Sequence, residues 1–402
     1  MKHLTISLVL ILFAISAMSQ NNDEGNSVYQ NTAEIMLNSD NKLSIGGYGE
    51  VHYNQPLDAD LRKNGALDVH RFVMFLGYNF SKKVQFITEV EYEHVSELYV
   101  EQAFLQYKLN QYISFRGGLL LIPMGIVNEF HEPTTFNGVE RPLIDNKISP
   151  STWREIGFGI SGNYLPASVK YQLYLVNGFN GYDGAARLNG KNGFRSGRQK
   201  GAESYISSPN LTGKVEYYGI RGLNLGLSAY IGNTQSTIYN NLDKSDNAAK
   251  AKADSSVVGM SMIGLDGRYQ LGGWHFRGQY YYASISNTLA YNHFTSDANG
   301  NLNDLGSSLT GYYVEAGYNV LRFVKSTQHE LVPFIRYEFY DTQNSVETGI
   351  ARSKANEVTA LTTGLSWMVA KGAVVKVDMQ FVKPASSETF GKVFNAGFGV
   401  MF

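Results

Sequence analysis

The chain of 402 residues has no cysteine. That absence excludes disulfide frameworks, thiol nucleophiles, thiolate metal centres and acylation of a cysteine behind an export signal. Charge of one sign is also lacking: 34 Lys and Arg against 35 Asp and Glu give a formal net charge of -1. A broadly basic nucleic-acid-binding surface is therefore excluded, and no nucleic-acid partner is expected. Long apolar runs are missing beyond residue 20, where charged and polar residues interrupt each hydrophobic stretch. No segment there offers the roughly 20 apolar residues that a membrane-spanning helix needs. Such a chain is either soluble and secreted or crosses a membrane as a closed barrel, because lipid leaves unpaired backbone groups unsatisfied. Proline is scarce, at 9 residues, and repeats at solenoid or propeller periods are absent.

What is present begins with an export signal. Lys2 and His3 precede an apolar core over residues 4–13, and Ala17-Met18-Ser19 fits a small-x-small cleavage site. The expected organisation is a cleaved signal peptide over 1–19, a flexible N-terminal segment or periplasmic contact over 20–42, and a barrel over 43–402. Glycine (41) and tyrosine (27) are abundant, which suits many strands with small and aromatic faces.

Two-residue alternation recurs in segments of about ten residues. In the last, Phe394, Ala396, Phe398, Val400 and Phe402 share one face, and Asn395, Gly397, Gly399 and Met401 the other. In a membrane barrel the apolar face meets lipid and the small or polar face meets the lumen. In another, Glu89, Glu91 and Glu93 line one face, which calls for water. Strands are expected at 43–53, 67–79, 83–94, 98–109, 112–121, 154–164, 168–178, 210–218, 222–232, 256–270, 273–286, 309–320, 330–341, 356–369, 373–383 and 392–402. That is an all-β, antiparallel, up-and-down transmembrane β-barrel of about sixteen strands.

The connections sort by parity. Short turns such as Ser81-Lys82, Asn110-Gln111 and Leu271-Gly272 alternate with long polar connections at 54–66, 122–153, 179–209, 233–255, 287–308 and 342–355. Short turns on one rim and long loops on the other is the outer-membrane layout. A soluble sandwich has no reason to produce it. Tyr78, Phe80, Tyr107, Tyr164, Tyr217, Tyr269, Trp274, Tyr318, Trp367 and Phe402 fall near the short-turn rim, where an aromatic belt meets the headgroups.

By parity the lumen wall carries both signs of charge: Arg71, Arg116, Arg154, Arg277 and Arg336 beside Glu89, Glu91, Glu93 and Glu155. Rings of one sign select ions, whereas a mixed wall is weakly selective, its charges pairing with one another. The third loop, 122–153, is too apolar and aromatic for a plain surface loop, and long loops in compact folds are commonly functional. It is expected to fold into the lumen and narrow it. Phe130, Phe136 and Ile144 would anchor it. Glu129, His131, Glu132, Glu140, Arg141, Asp145 and Lys147 would face the passage. His131-Glu132 and Glu93-His94 are adjacent pairs without ligand spacing, so neither a metal centre nor a cofactor is expected, while calcium in the Asp-rich stretches at 241–254 and 292–304 stays open.

Several of these residues recur in a known pattern. Glu101 precedes Ala103-Phe104, Pro123 and Gly125 close a Gly-rich strand, Arg154-Glu155-Ile156-Gly157 follows the long loop, and Asn177-Gly178 ends a strand. With Arg71, this pattern over residues 43–180 resembles the phosphate-selective porin O and P family. The resemblance implies a homotrimeric sixteen-stranded porin with an infolded third loop. It does not imply phosphate as the solute, because acids accompany the arginines. Phe402 is similar to the C-terminal aromatic signal read by the barrel assembly machinery.

The expected function is passive, weakly selective diffusion of small hydrophilic solutes or ions through the outer membrane of a Gram-negative bacterium. The alternative is a non-conducting barrel that scaffolds surface or secretion proteins. No hydrolase motif points to an enzyme, and about twenty residues before the first strand are too few for the plug of an energy-coupled receptor.

Overall fold

The computed structural model describes residues 29–58, 60–324 and 327–402. The expected signal peptide lies outside the described residues. Sixteen strands form the wall: β1 (Leu43–Leu57), β2 (Ala66–Asn79), β3 (Val84–Glu93), β4 (Glu97–Lys108), β5 (Ser114–Leu121), β6 (Arg154–Tyr164), β7 (Val169–Val176) and β8 (Asn210–Ile220). They continue as β9 (Leu223–Asn233), β10 (Gly259–Leu271), β11 (Trp274–Ser286), β12 (Ser308–Tyr318), β13 (Glu330–Ser345), β14 (Glu357–Ala370), β15 (Ala373–Pro384) and β16 (Gly391–Met401). Each pairs antiparallel with its neighbours, and β16 pairs with β1 from Tyr48↔Met401 to Leu57↔Lys392, so the sheet closes. Backbone hydrogen bonds of 2.9 Å in both directions between Gly47 and Phe402 complete the seam. Closure pairs every strand edge, the condition for a sheet to lie in lipid.

The period-2 pattern has its expected consequence. On β10, Ser261, Ile263 and Leu265 face outward and are exposed, while Met260, Met262, Asp266 and Arg268 are buried in the lumen. On β16, Phe398 and Val400 face outward and Asn395 and Gly399 inward. Most short turns follow even-numbered strands and the longest loops odd-numbered ones; the exceptions are the long 319–329 connection after β12 and the short 94–96 turn after β3. At the short-turn rim, Trp274 stacks on Phe276 at 5.4 Å and tilts against Tyr318 at 4.8 Å. Phe80, Tyr107, Tyr164, Tyr217, Trp367 and Phe402 are exposed there too.

Two features depart from the expectation. The lumen is not lined throughout by wet side chains: Met124, Ile144 and Ile148 of the third loop pack with Met260, Met262, Tyr281 and Tyr313 of the wall as one hydrophobic core. Secondly, residues 29–42 are not a free tail. Helix α1 (Thr32–Leu37) sits inside the short-turn end of the barrel with Thr32, Ala33, Met36 and Leu37 buried. Asn31 caps it, its Oδ1 accepting from Glu34 N at 2.9 Å. Gly77 lets the helix approach the wall, since a Cβ there would lie 3.3 Å from Met36 Cβ.

Candidate channel and its constriction

The third loop leaves β5 at Ile122 and crosses the lumen before rejoining the wall at Arg154. Asn128 ties its two legs together. Its Nδ2 donates to the carbonyls of Ile122 and Trp153, both at 2.8 Å, and its Oδ1 accepts from Trp153 N at 2.7 Å. Gly125 permits the first bend: its φ is +69°, and a Cβ would collide with the Tyr281 hydroxyl. The descending leg is held by Lys214 on β8, which donates to Gly125 O at 2.6 Å and pairs with Glu129 at 3.1 Å. Gln172 on β7 donates to the same carboxylate at 2.5 Å.

The ascending leg is tied to the opposite wall. Asn137 donates to Glu315 at 2.8 Å, Lys376 to Gly138 O at 2.9 Å, and Val139 N to Asp378 at 2.7 Å. Leu143 N donates to Glu338 at 2.5 Å, and Asp145 accepts from Gln279 at 3.0 Å. Loop backbone groups that water would satisfy on a surface are thus satisfied by wall side chains. Phe130, Phe136 and Ile144 are buried, as anchors should be.

The polar candidates of the loop divide. Glu140, Arg141 and Lys147 keep solvent contact. Glu129, His131, Glu132 and Asp145 do not face a passage but are buried in paired contacts. Glu132 accepts from Thr32 N at 3.1 Å and Thr32 Oγ1 at 2.9 Å, which joins α1 to the loop. Lys170 grips the helix from the wall through Glu34 at 2.6 Å.

The wall candidates divide similarly. Glu93, Arg116 and Arg277 are half-buried, while Arg71, Glu89, Glu91, Arg154, Glu155 and Arg336 are buried. All are lumenal, but the loop covers the buried ones. Arg71 pairs with Glu50 at 2.7 Å and Glu91 at 3.1 Å. Arg336 pairs with Glu338 at 2.8 Å and Glu315 at 3.4 Å, and Arg277 reaches Glu315 at 3.1 Å. Arg116 donates to Gln106 at 2.8 Å. Glu155 accepts from Trp153 Nε1 and Gly178 N, both at 2.8 Å, and so locks the loop's exit.

Sequence parity left Glu101 out of the lumen wall, naming it only in the family pattern, although it is fully buried and 3.5 Å from Arg154. The β3–β4 register slips between Glu89 and Val90, so Glu101 and Gln102 both point inward. A bulge of this kind defeats a strict two-residue count. The same device at the β1–β2 register slip turns His70 toward Arg71, where Arg71 donates to His70 Nε2 at 2.7 Å.

Water-sized space remains on both sides of the loop. On the long-loop side a cavity of about 260 Å³ is bounded by His52, His70, Glu93, Glu140, Arg141 and Arg195. On the short-turn side, cavities of about 230 Å³ and about 300 Å³ flank the segment leading into α1, the first touching Arg268 and Arg277, the second Arg116 and Lys170. The stretch from Phe130 to Arg141 lies between the two sides.

No family model matches the chain, so the resemblance to the phosphate-selective porins rests on the quoted residues alone. An uncharacterized protein of Aquifex aeolicus (strain VF5) is 33% identical over 348 residues, which cover 84% of this chain and 74% of that protein. The chain belongs to that protein's family. Among solved structures, OmpF of Salmonella typhi, in complex with daunomycin, is similar with a TM-score of 0.58 and 14% identity, covering 90% of this chain and 97% of that one. The outer membrane channel DcaP of Acinetobacter baumannii gives 0.57 at 12% identity, with the same coverage. The trimer form of OmpT, an outer membrane protein of Vibrio cholerae, gives 0.52 at 12%, covering 90% of this chain and 99% of that one. At these identities the likeness is one of fold: the chain is a closed sixteen-stranded barrel of the porin type.

Proposed function

We propose that this protein is a diffusion channel in the outer membrane of a Gram-negative bacterium, passing small hydrophilic solutes or ions with weak selectivity. The observation that carries the reading is the third loop strapped across a closed sixteen-stranded barrel, with solvent space on either side of it. The solvent-touching charges include Glu93 and Glu140 as well as Arg116, Arg141 and Arg277, so neither sign dominates the path. Assembly as a homotrimer, a lipid-facing belt and recognition of Phe402 by the barrel assembly machinery belong to the same reading.

Planar-bilayer recording of the detergent-purified protein tests it. Discrete conductance steps are expected, larger when residues 128–147 are replaced by a short linker. Absence of steps in both proteins would overturn the channel. A specific observation keeps the non-conducting scaffold as second reading: the loop and α1 fill much of the lumen and pack there as a core.

A further inference from the structure

Glu89 on β3, Glu101 on β4 and His131 on the third loop form a fully buried cluster whose ligand atoms all lie within 4.8 Å of one another. His131 Nε2 is 3.2 Å from Glu89 Oε1 and 3.2 Å from Glu101 Oε2. Its other nitrogen, Nδ1, is 3.2 Å from the carbonyl of Asn128. A ring that donates Nδ1–H to a carbonyl presents a lone pair at Nε2, the arrangement in which histidine binds metals. A protonated His131 donates from Nε2 between the two carboxylates, and a cation that displaces this proton takes three converging lone pairs.

Two further observations point to a cation site. The fully buried hydroxyl of Tyr48, whose ring stands edge-on to His131 at 5.9 Å, makes no hydrogen bond. An unpaired buried group of this kind calls for an ion or a water as its partner. Charge gives the second. Among the described residues, the carboxylates of Glu50, Glu89, Glu91 and Glu101 are reached by Arg71, Arg154, His52 and His131. His52 is shared with Glu140 at 3.1 Å. With His52 matched to Glu140, the four carboxylates and two guanidiniums leave two negative charges around His131, which a divalent cation bound to the neutral ring would cancel. The separations of 3.2 Å suit ligands around a metal with bonds of about 2.1 Å.

We infer that Glu89, Glu101 and His131 form a structural site for a divalent transition metal, of the zinc, manganese or iron class, that staples the third loop to the wall. One imidazole with carboxylates selects that class over magnesium. The register slip that turns Glu101 inward is part of the site, because it sets two acids from adjacent strands opposite the loop histidine. A second constellation, Asp68, His70 and His94, is less suited: Arg71 occupies His70 Nε2 at 2.7 Å, which holds the proton on the nitrogen that would have to bind.

The test is elemental analysis of the full chain purified in detergent, stripped with chelator, loaded with zinc and gel-filtered. Wild type is expected to retain about one equivalent, and His131→Asn and Glu101→Gln roughly tenfold less. Heat-dependent gel mobility reports whether each variant remains a folded barrel. Loading with cobalt instead should give a visible d–d band that His131→Asn abolishes. The site is overturned if folded wild type retains none of zinc, manganese or iron. It is equally overturned if retention survives His131→Asn but is lost in His94→Asn. Either result leaves the channel reading untouched, since that rests on conductance.

Discussion

Lys214 on β8 places its ammonium 3.1 Å from the carboxylate of Glu129 on the third loop, 85 residues away in the chain. Both are buried, and Lys214 also lies 3.6 Å from Glu216 and 3.4 Å from Asp266. Removing the cation leaves buried acids uncompensated, which costs about 3–5 kcal/mol. Lys214→Met is therefore expected to release the descending leg of the loop, seen as faster proteolysis within 122–153 and larger conductance steps. Adding Glu129→Gln should recover part of the loss. A non-additivity near zero in that double-mutant cycle would show that the pair does not hold the loop.

Gly125→Ala meets three obstacles, a positive φ, the Tyr281 hydroxyl and Gln279 Oε1. The expected cost is about 1–3 kcal/mol from the backbone alone. Urea unfolding of the barrel in micelles measures it. Combining it with Tyr281→Ala should relieve the hydroxyl collision and leave the backbone strain and the Gln279 contact, so recovery is partial.

Leu265 lies mid-strand on the outward face and Leu67 at the long-loop end of β2, and both are exposed. Arginine at a bilayer midplane costs about 2–4 kcal/mol and near an interface about 0–1 kcal/mol. Leu265→Arg should thus impair folding into vesicles strongly and Leu67→Arg weakly. Equal effects would contradict the assigned lipid belt.

Helix α1 is held by Glu34–Lys170 at 2.6 Å and by Thr32–Glu132. Deleting residues 30–38 should merge the short-turn-side cavities and raise single-channel conductance. Unchanged conductance would mean the helix does not obstruct the path.

The solvent-touching charges are of both signs, so a reversal potential measured in a salt gradient is expected to lie near zero. A strong anion preference would show that the path runs past the cations alone.

Much of this protein follows from local sequence. Strand positions, their count and the sorting of short turns from long loops are written in two-residue alternation and turn chemistry, which act between near neighbours. The outward rings near the turns, from Phe80 to Phe402, follow from the same count. Only closure of the sheet decided the rest. Parity places Arg71 and Glu91 in the lumen but cannot say that the third loop covers them, because that depends on contacts such as Lys214–Glu129 between distant segments. The buried place of α1 was hidden for the same reason: a short polar segment becomes a helix in a lumen only where Glu132 and Lys170 receive it. Glu101 escaped the count because one extra residue in β4 reverses the parity, and it is the partner strand's register that inserts it.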